Sequence, residues 1–233
     1  MQVIEEFTIK PTTLVCPACQ SMFASPTIVT MPTISRDTPV EADLHRVLPD
    51  AAVRAALVAM CPACNYTWWV TAYRPHLFKP QLVPPTPLVD SPKKFAHAVL
   101  TGRQNQAHAL DLALLALNGC WCAREAGQPH ERWLDLAGAE LEKALKDPEW
   151  KGNRGYYHYI MGEICRQSGY FKGAIEHFGA VGPSSMLPRE LVERQKVHAV
   201  SGDAKPVRLP PDLVETIFCP QARRRESLVS EEQ

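Results

Sequence analysis

Two tetrapeptides in this 233-residue chain are identical: Cys16-Pro17-Ala18-Cys19 and Cys61-Pro62-Ala63-Cys64. Two cysteines separated by two residues can place both sulfurs on one ion at about 2.3 Å, and two such knuckles complete a tetrahedral set of four thiolates with no open position. A closed set of this kind holds loops together and activates no water. We therefore read Cys16, Cys19, Cys61 and Cys64 as the ligands of one structural zinc ion; iron suits the same four-sulfur cage. Ordinary buried thiols and a dithiol redox pair are the rival readings. The redox reading calls for one reactive pair at a helix start, whereas a repeated tetrapeptide suits a shared ion. The usual gap between ribbon knuckles is about 15–20 residues, and here residues 20–60 intervene. That leaves room for an inserted hairpin, or a helix near residues 41–48, at little extra loop-closure cost.

The other chemistry-bearing residues read more plainly. Cys120 and Cys122 flank Trp121, Cys165 sits on an apolar helical face and Cys219 lies near the end of the sequence; all four read as packing or incidental residues. No histidine pair has a metal spacing such as His-x-x-x-His. There is no phosphate-binding glycine loop, nucleophile elbow or His-Glu-x-x-His motif, so a non-enzymatic protein is expected, with no catalytic residue. His158, Glu163 and His177 can approach one another across a helical hairpin, but lone polar residues on helices read as solvated or structural. Tyr66, Trp68, Trp69, Tyr73 and Arg74 supply aromatic and basic groups beside the second knuckle, which makes nucleic acid the alternative partner class. Strand alternation puts Trp68 and Trp69 on opposite faces. The competing reading is that these aromatics seal the ribbon against the helices.

Bulk properties narrow the classes further. The 25 basic and 25 acidic side chains cancel, so no global field gathers nucleic acid or anionic lipid. The 45% hydrophobic and 21% charged residues suit a soluble globular protein. The most apolar segment, residues 107–122, is interrupted by His108, Asp111 and Asn118, and falls short of the roughly 20 apolar residues of a membrane span. The opening MQVIEEFTIK reads as no secretory signal. We expect no membrane partner and a cytoplasmic location, where eight cysteines imply metal or thiol roles rather than disulfides.

The elements that must position the knuckles follow from local pattern. Residues 27–31 (TIVTM) and 67–73 (TWWVTAY) are β-branched or aromatic and read as strands. Residues 75–92 hold six prolines and read as an extended, stiff linker. Helical periodicity begins at residue 93: Ala96, Val99 and Leu100 share a face, then Ala107, Leu110, Leu114, Leu117 and Trp121 recur at spacings of three and four. Further helices are expected over residues 130–146 (apolar face Trp133, Leu134, Leu141, Leu145), 156–168, 171–181 and 189–200. Pro148, Gly169 and Pro183 serve as breaks. The fold class is α+β, with a zinc-ribbon-like β module at 1–74, the linker at 75–92, a tetratricopeptide-like helical domain at 93–201 and a Pro-rich, charged, partly disordered tail at 202–233.

Residues 155–181 carry the repeat-like pattern. Met161-Gly162 fits the Leu-Gly pair of a tetratricopeptide repeat, Gly169 its inter-helix turn, and Ala174, Ile175 and Phe178 its second-helix packing positions. An earlier pair aligns loosely, with Gly127 at its turn and Ala144 and Leu145 on its second helix. Together with Cys16 to Cys19, Arg36-Asp37-Thr38, Cys61 to Tyr66 and the block from Ile160 to Phe178, the order of features resembles the bacterial domain of unknown function 2225 family. The resemblance touches most of residues 10–182. It implies paired knuckles followed by tetratricopeptide-like helices and a bound metal, and supplies no activity. The sequence departs in having Asn65 where a knuckle glycine is expected, and in its proline linker. Stacked helical hairpins present grooves for peptides or partner helices, so the expected role is a zinc-binding interaction or scaffold protein with a protein partner. Zinc removal is expected to unfold the N-terminal module and spare the helices.

Overall fold

The computed structural model describes residues 7–75 and 91–218. Most of the expected proline-rich linker, the end of the tail and Cys219 fall outside the described residues. The architecture is α+β, with a strand-rich first part and helices after it.

Strands β1 (Thr8–Val15) and β2 (Met22–Thr30) form an antiparallel hairpin with Val15 opposite Met22. A second hairpin pairs β3 (Val58–Met60) with β4 (Thr67–Trp69), Met60 opposite Thr67. The expected strand at 67–73 is therefore cut short. A 3-10 turn at Val70–Ala72 redirects the chain, and β5 (Arg74–Pro75) pairs with the free edge of β1 instead. Tyr73 holds this reversal: its buried hydroxyl donates to the carbonyls of Ala59 and Tyr66 at 2.7 and 2.9 Å.

Between the hairpins there is no helix at 41–48. An isolated antiparallel bridge joins Val40 to Arg46, with Leu44 in the left-handed region (φ 60°), so the chain reverses there without forming strands. The short helix α1 (Ala51–Ala55) follows, capped by the Asp50 carboxylate on the Ala52 N–H. The remaining helices are α2 (Ser91–Gln104), α3 (Ala109–Glu125), α4 (Glu131–Lys146), α5 (Arg154–Gln167), α6 (Phe171–Gly179), α7 (Arg189–Val200) and α8 (Pro211–Phe218). The tail assignment is corrected by α8: Leu209, Leu213 and Val214 are buried, so the chain keeps an apolar face beyond Gly202.

Contacts gather the chain into two compact units, whose limits differ from the boundaries drawn on sequence. One comprises Met1–Thr33 with Leu48–Glu140; the other comprises Ile34–Val47 with Leu141–Gln233. In the first unit, Ala51, Val58, Phe95, Ala98, Val99, Leu115 and Cys122 form a core, with Trp68, Trp69, Trp133 and Leu136 packed against it. The α2 face turns inward through Phe95, Ala98 and Val99, while Leu100, expected on that face, is 55% exposed. Helix α3 is buried on several sides. Its Leu112, Leu115, Leu117 and Ala123 all lie inside, because α1 and α2 pack on it and Trp133 covers Gly119. A single apolar stripe at 107, 110, 114, 117 and 121 understates this.

An ion pair ties α1 to α3. Arg54 donates through Nε and Nη2 to the two oxygens of Glu125 at 2.9 and 2.8 Å, and through Nη1 to Asn118. The Leu48 N–H completes Glu125 at 2.9 Å, and both side chains of the pair are almost fully buried. Lys94 of α2 donates to the Ala55 and Val58 carbonyls, and burial draws its ammonium down to about 8.

In the second unit, α5 and α6 form the expected hairpin around Gly169, whose φ of +77° suits glycine. Gly162 lets α6 approach: a Cβ there would lie 2.5 Å from the Phe178 ring. Ala174 and Phe178 are buried, but Ile175 faces outward at 39% exposure. Residues 40–42 pair with 207–209 through the Ala42 N–H to Val207 O and the Leu209 N–H to Val40 O. Tyr159 donates to the Ala42 carbonyl at 2.5 Å. The fully buried Glu163 and Arg166 pair bidentately, and Arg166 also donates to the carbonyls of Asp203 and Lys205.

Two substitutions check this packing by chemical denaturation. Glu125→Ala strands the buried Arg54 guanidinium and is expected to cost about 3–5 kcal/mol. Gly162→Ala overpacks the α5–α6 contact at about 1–3 kcal/mol, enough to outweigh the helix-propensity gain of about 1 kcal/mol. Ile175→Ala on the same hairpin should stay below about 1 kcal/mol.

Candidate metal centre

Each hairpin of the first unit turns through one Cys-Pro-Ala-Cys tetrapeptide, and the two turns have the same hydrogen bonds. The Cys16 N–H donates to Ser21 O at 2.9 Å, and the Gln20 N–H returns to Cys16 O at 2.9 Å. In the second turn the Cys61 N–H donates to Tyr66 O at 2.9 Å, and the Asn65 N–H to Cys61 O at 2.8 Å. The residue after each tetrapeptide is left-handed, Gln20 at φ 61° and Asn65 at φ 59°. Asparagine accepts that conformation better than most residues, so the missing knuckle glycine leaves the turn geometry intact.

These turns aim four sulfurs at one point. Cys16 Sγ lies 3.7 Å from Cys64 Sγ, and Cys19 Sγ lies 3.6 Å from Cys61 Sγ. All four lie within 4.8 Å of one another. A tetrahedron with bonds of about 2.3 Å has sulfur–sulfur edges of about 3.8 Å, whereas a disulfide needs about 2.05 Å. Both of these approaches link one knuckle to the other, as a shared ion requires. All four cysteines singled out in the sequence are thus brought together in a set that can hold a metal ion.

The surroundings divide the ligands into an inner and an outer pair. Cys16 and Cys61 are fully buried among Leu14, Phe23, Ala59 and Tyr73, with Tyr66, Trp68 and Val70 against the same cluster. Cys19 and Cys64 face solvent. Hydrogen bonds from the Ser21 hydroxyl and backbone draw the Cys19 thiol down to about 6. Burial pushes Cys61 up to about 12 and raises Cys64. Coordination deprotonates a thiol outright, so a cation here would offset the burial cost of the inner sulfurs.

The aromatic residues beside the second knuckle are occupied by packing. Trp68 belongs to both hydrophobic clusters of this unit and covers Gly102 of α2. Trp69 packs on the larger cluster. Tyr73 is buried edge-on between Phe23 and Tyr66, at centroid distances of 5.7 and 5.9 Å. Arg74 alone of the five is exposed. Cys120, Cys122 and Cys165 are buried, and the Cys122 thiol donates to the Ala51 carbonyl.

In the second unit, His158 and His177 meet as the sequence allows, with Nδ1 atoms 3.1 Å apart. Burial pulls both imidazoles below their ordinary range. Glu163 does not join them, since it is committed to Arg166. A further group was missed in the sequence: Glu41, Asp43 and His45 bring ligand atoms within 4.8 Å of one another. Their alternate spacing is the only signal. Here they fasten the 40–46 turn: Glu41 bonds His45 Nδ1 at 2.7 Å, while Asp43 accepts from the His45 N–H and the Gln167 amide.

Comparison with protein-family models, curated proteins and solved structures returns no match, so the family resemblance rests on the motifs quoted above. No helix among the described residues is long and apolar enough to cross a membrane.

The centre is not a module apart from the helices. Besides Trp68 on Gly102, the Thr67 N–H donates to the Thr101 hydroxyl of α2 at 3.2 Å. Metal removal is therefore expected to loosen α2 and α3, contrary to the sequence expectation. Amide hydrogen exchange before and after chelation checks this through lost protection over residues 91–125. Cys61→Ser and Cys16→Ser should each abolish bound metal, measured by elemental analysis and by the thiolate-to-cobalt absorption of a cobalt-loaded sample.

Proposed function

We propose that the chain binds one structural zinc ion through Cys16, Cys19, Cys61 and Cys64, and acts as a non-enzymatic interaction or scaffold protein for a protein partner. The observation that carries the first part is the four-sulfur set itself, contributed by two like-bonded turns at ligand spacing. Four protein sulfurs fill a tetrahedral zinc ion and leave no position for water or substrate. Zinc suits this role because it has no redox chemistry of its own; iron would fit the cage but bring one.

The helical surface supports the second part. Val197 and Val200 of α7 are apolar and 67% and 74% exposed, near Lys196 of the groove described next. On the neighbouring face, Phe178, Val181, Leu187 and Val192 line a groove of about 410 Å³, rimmed by Arg189, Glu193 and Lys196. An apolar floor with a charged rim matches the general layout of protein interfaces. The packing of Tyr66, Trp68, Trp69 and Tyr73 against the two cores favours the protein partner over nucleic acid.

Crosslinking and affinity capture from the native host test the partner, using the zinc-loaded full chain. A reproducible protein should be recovered by the wild type and lost with Val197→Asp/Val200→Asp, while the zinc content of the variant stays at one per chain. Capture of no reproducible protein, or equal capture by the variant, counts against the proposed surface.

A further inference from the structure

Away from the four cysteines, two histidines of the second unit bring donor nitrogens to a distance that suits a shared ion. His158 lies near the start of α5 and His177 near the end of α6, so they meet at the open end of the helical hairpin, opposite the Gly169 turn. Their rings stack at 30° with centroids 5.3 Å apart, and the two Nδ1 atoms face each other at 3.1 Å. Nitrogens bound to one ion at about 2.0–2.1 Å lie about 2.9 Å apart at a right angle and about 3.4 Å apart at the tetrahedral angle. The observed separation falls within that range.

We propose that His158 and His177 form a second metal site, a two-imidazole clamp for a borderline divalent cation such as Ni²⁺, Zn²⁺ or Cu²⁺. Imidazole is the side chain these ions share as a preferred ligand. Both residues are half-buried, which leaves room for water to complete the coordination. The charges around the pair are mixed. Glu142 of α4 and Glu176 of α6 act on His177, and Arg154 of α5 acts on His158. Arg154 is held by the carbonyls of Leu145, Asp147 and Trp150 at the end of α4, which fixes its cation there. Glu142 is half-exposed and pairs with Lys146 across one helical turn. The clamp would fasten the hairpin end that Gly169 does not.

This site is independent of the cysteine centre, and its test keeps the two apart. The full chain is first loaded with one zinc per molecule, and Ni²⁺ alone is then titrated by calorimetry. We expect one Ni²⁺ bound per chain, with the zinc retained and the thermal midpoint raised. His158→Gln and His177→Gln, on different helices, should each weaken Ni²⁺ binding at least tenfold and remove the thermal shift. Circular dichroism and zinc content confirm that each variant is folded, and a folded single variant is enough to decide. Absence of Ni²⁺ binding by the zinc-loaded wild type overturns the proposal. So does undiminished binding in a folded variant, which would leave the histidines as a hydrogen-bonded pair.

Discussion

Four sulfurs held within 4.8 Å of one another set a problem that the first unit must solve. As thiolates they repel, and the two inner ones are also withdrawn from water. A divalent cation bound between them would balance that charge. The need is acute because the ladders are short. The β3–β4 ladder has three pairs and the β1–β5 ladder two, and isolated hairpins of this size are marginal in water. Fixing both hairpin tips to one point gives these ladders a common origin. The sheet edges, the Tyr73 reversal and the small core around Cys16 and Cys61 can then be built outward from it.

Buried ion pairs do a different kind of work in this chain. Arg54–Glu125 in the first unit and Glu163–Arg166 in the second are both nearly or fully buried and bidentate, and both take extra backbone bonds. Such pairs contribute little net stability, since desolvation offsets most of their attraction. Their value lies in choosing one arrangement: Glu125 accepts from Arg54 and the Leu48 N–H together, so α1 has one register against α3. Arg166 similarly selects the path of the chain at Asp203 and Lys205.

The meeting of the four knuckle cysteines was legible because their spacing is local. Spacing and residue type settle where two sulfurs of a Cys-x-x-Cys can go, and a repeated tetrapeptide identifies their partners. The helices were legible for the same reason, through period, proline and glycine. What escaped was nonlocal. The exposure of Leu100 depends on which neighbour α2 meets, and the burial of α3 on several sides depends on Trp133 reaching Gly119. The Arg54–Glu125 pair spans 71 residues and has no sequence signature. The unit limits escaped likewise, since the contacts group α2 and α3 with the strands despite the composition change near residue 75. Prolines mark where a chain is stiff; they do not mark where packing ends.

Trp68 shows why that last point matters for the metal centre. Its ring touches the cluster that holds Cys16 and Cys61 and also the cluster built from α1, α2 and α3. Gly102 makes the contact close, since a Cβ there would stand 2.5 Å from the indole. A displacement of the β3–β4 hairpin must therefore move a tryptophan that α2 has no slack to follow, because packed interiors transmit strain instead of absorbing it. An ion held by the four cysteines would brace the helices as well as the strands. A closed four-sulfur site placed here would couple the strand hairpins to the helices through Trp68, although four protein sulfurs leave no open position at which to do chemistry.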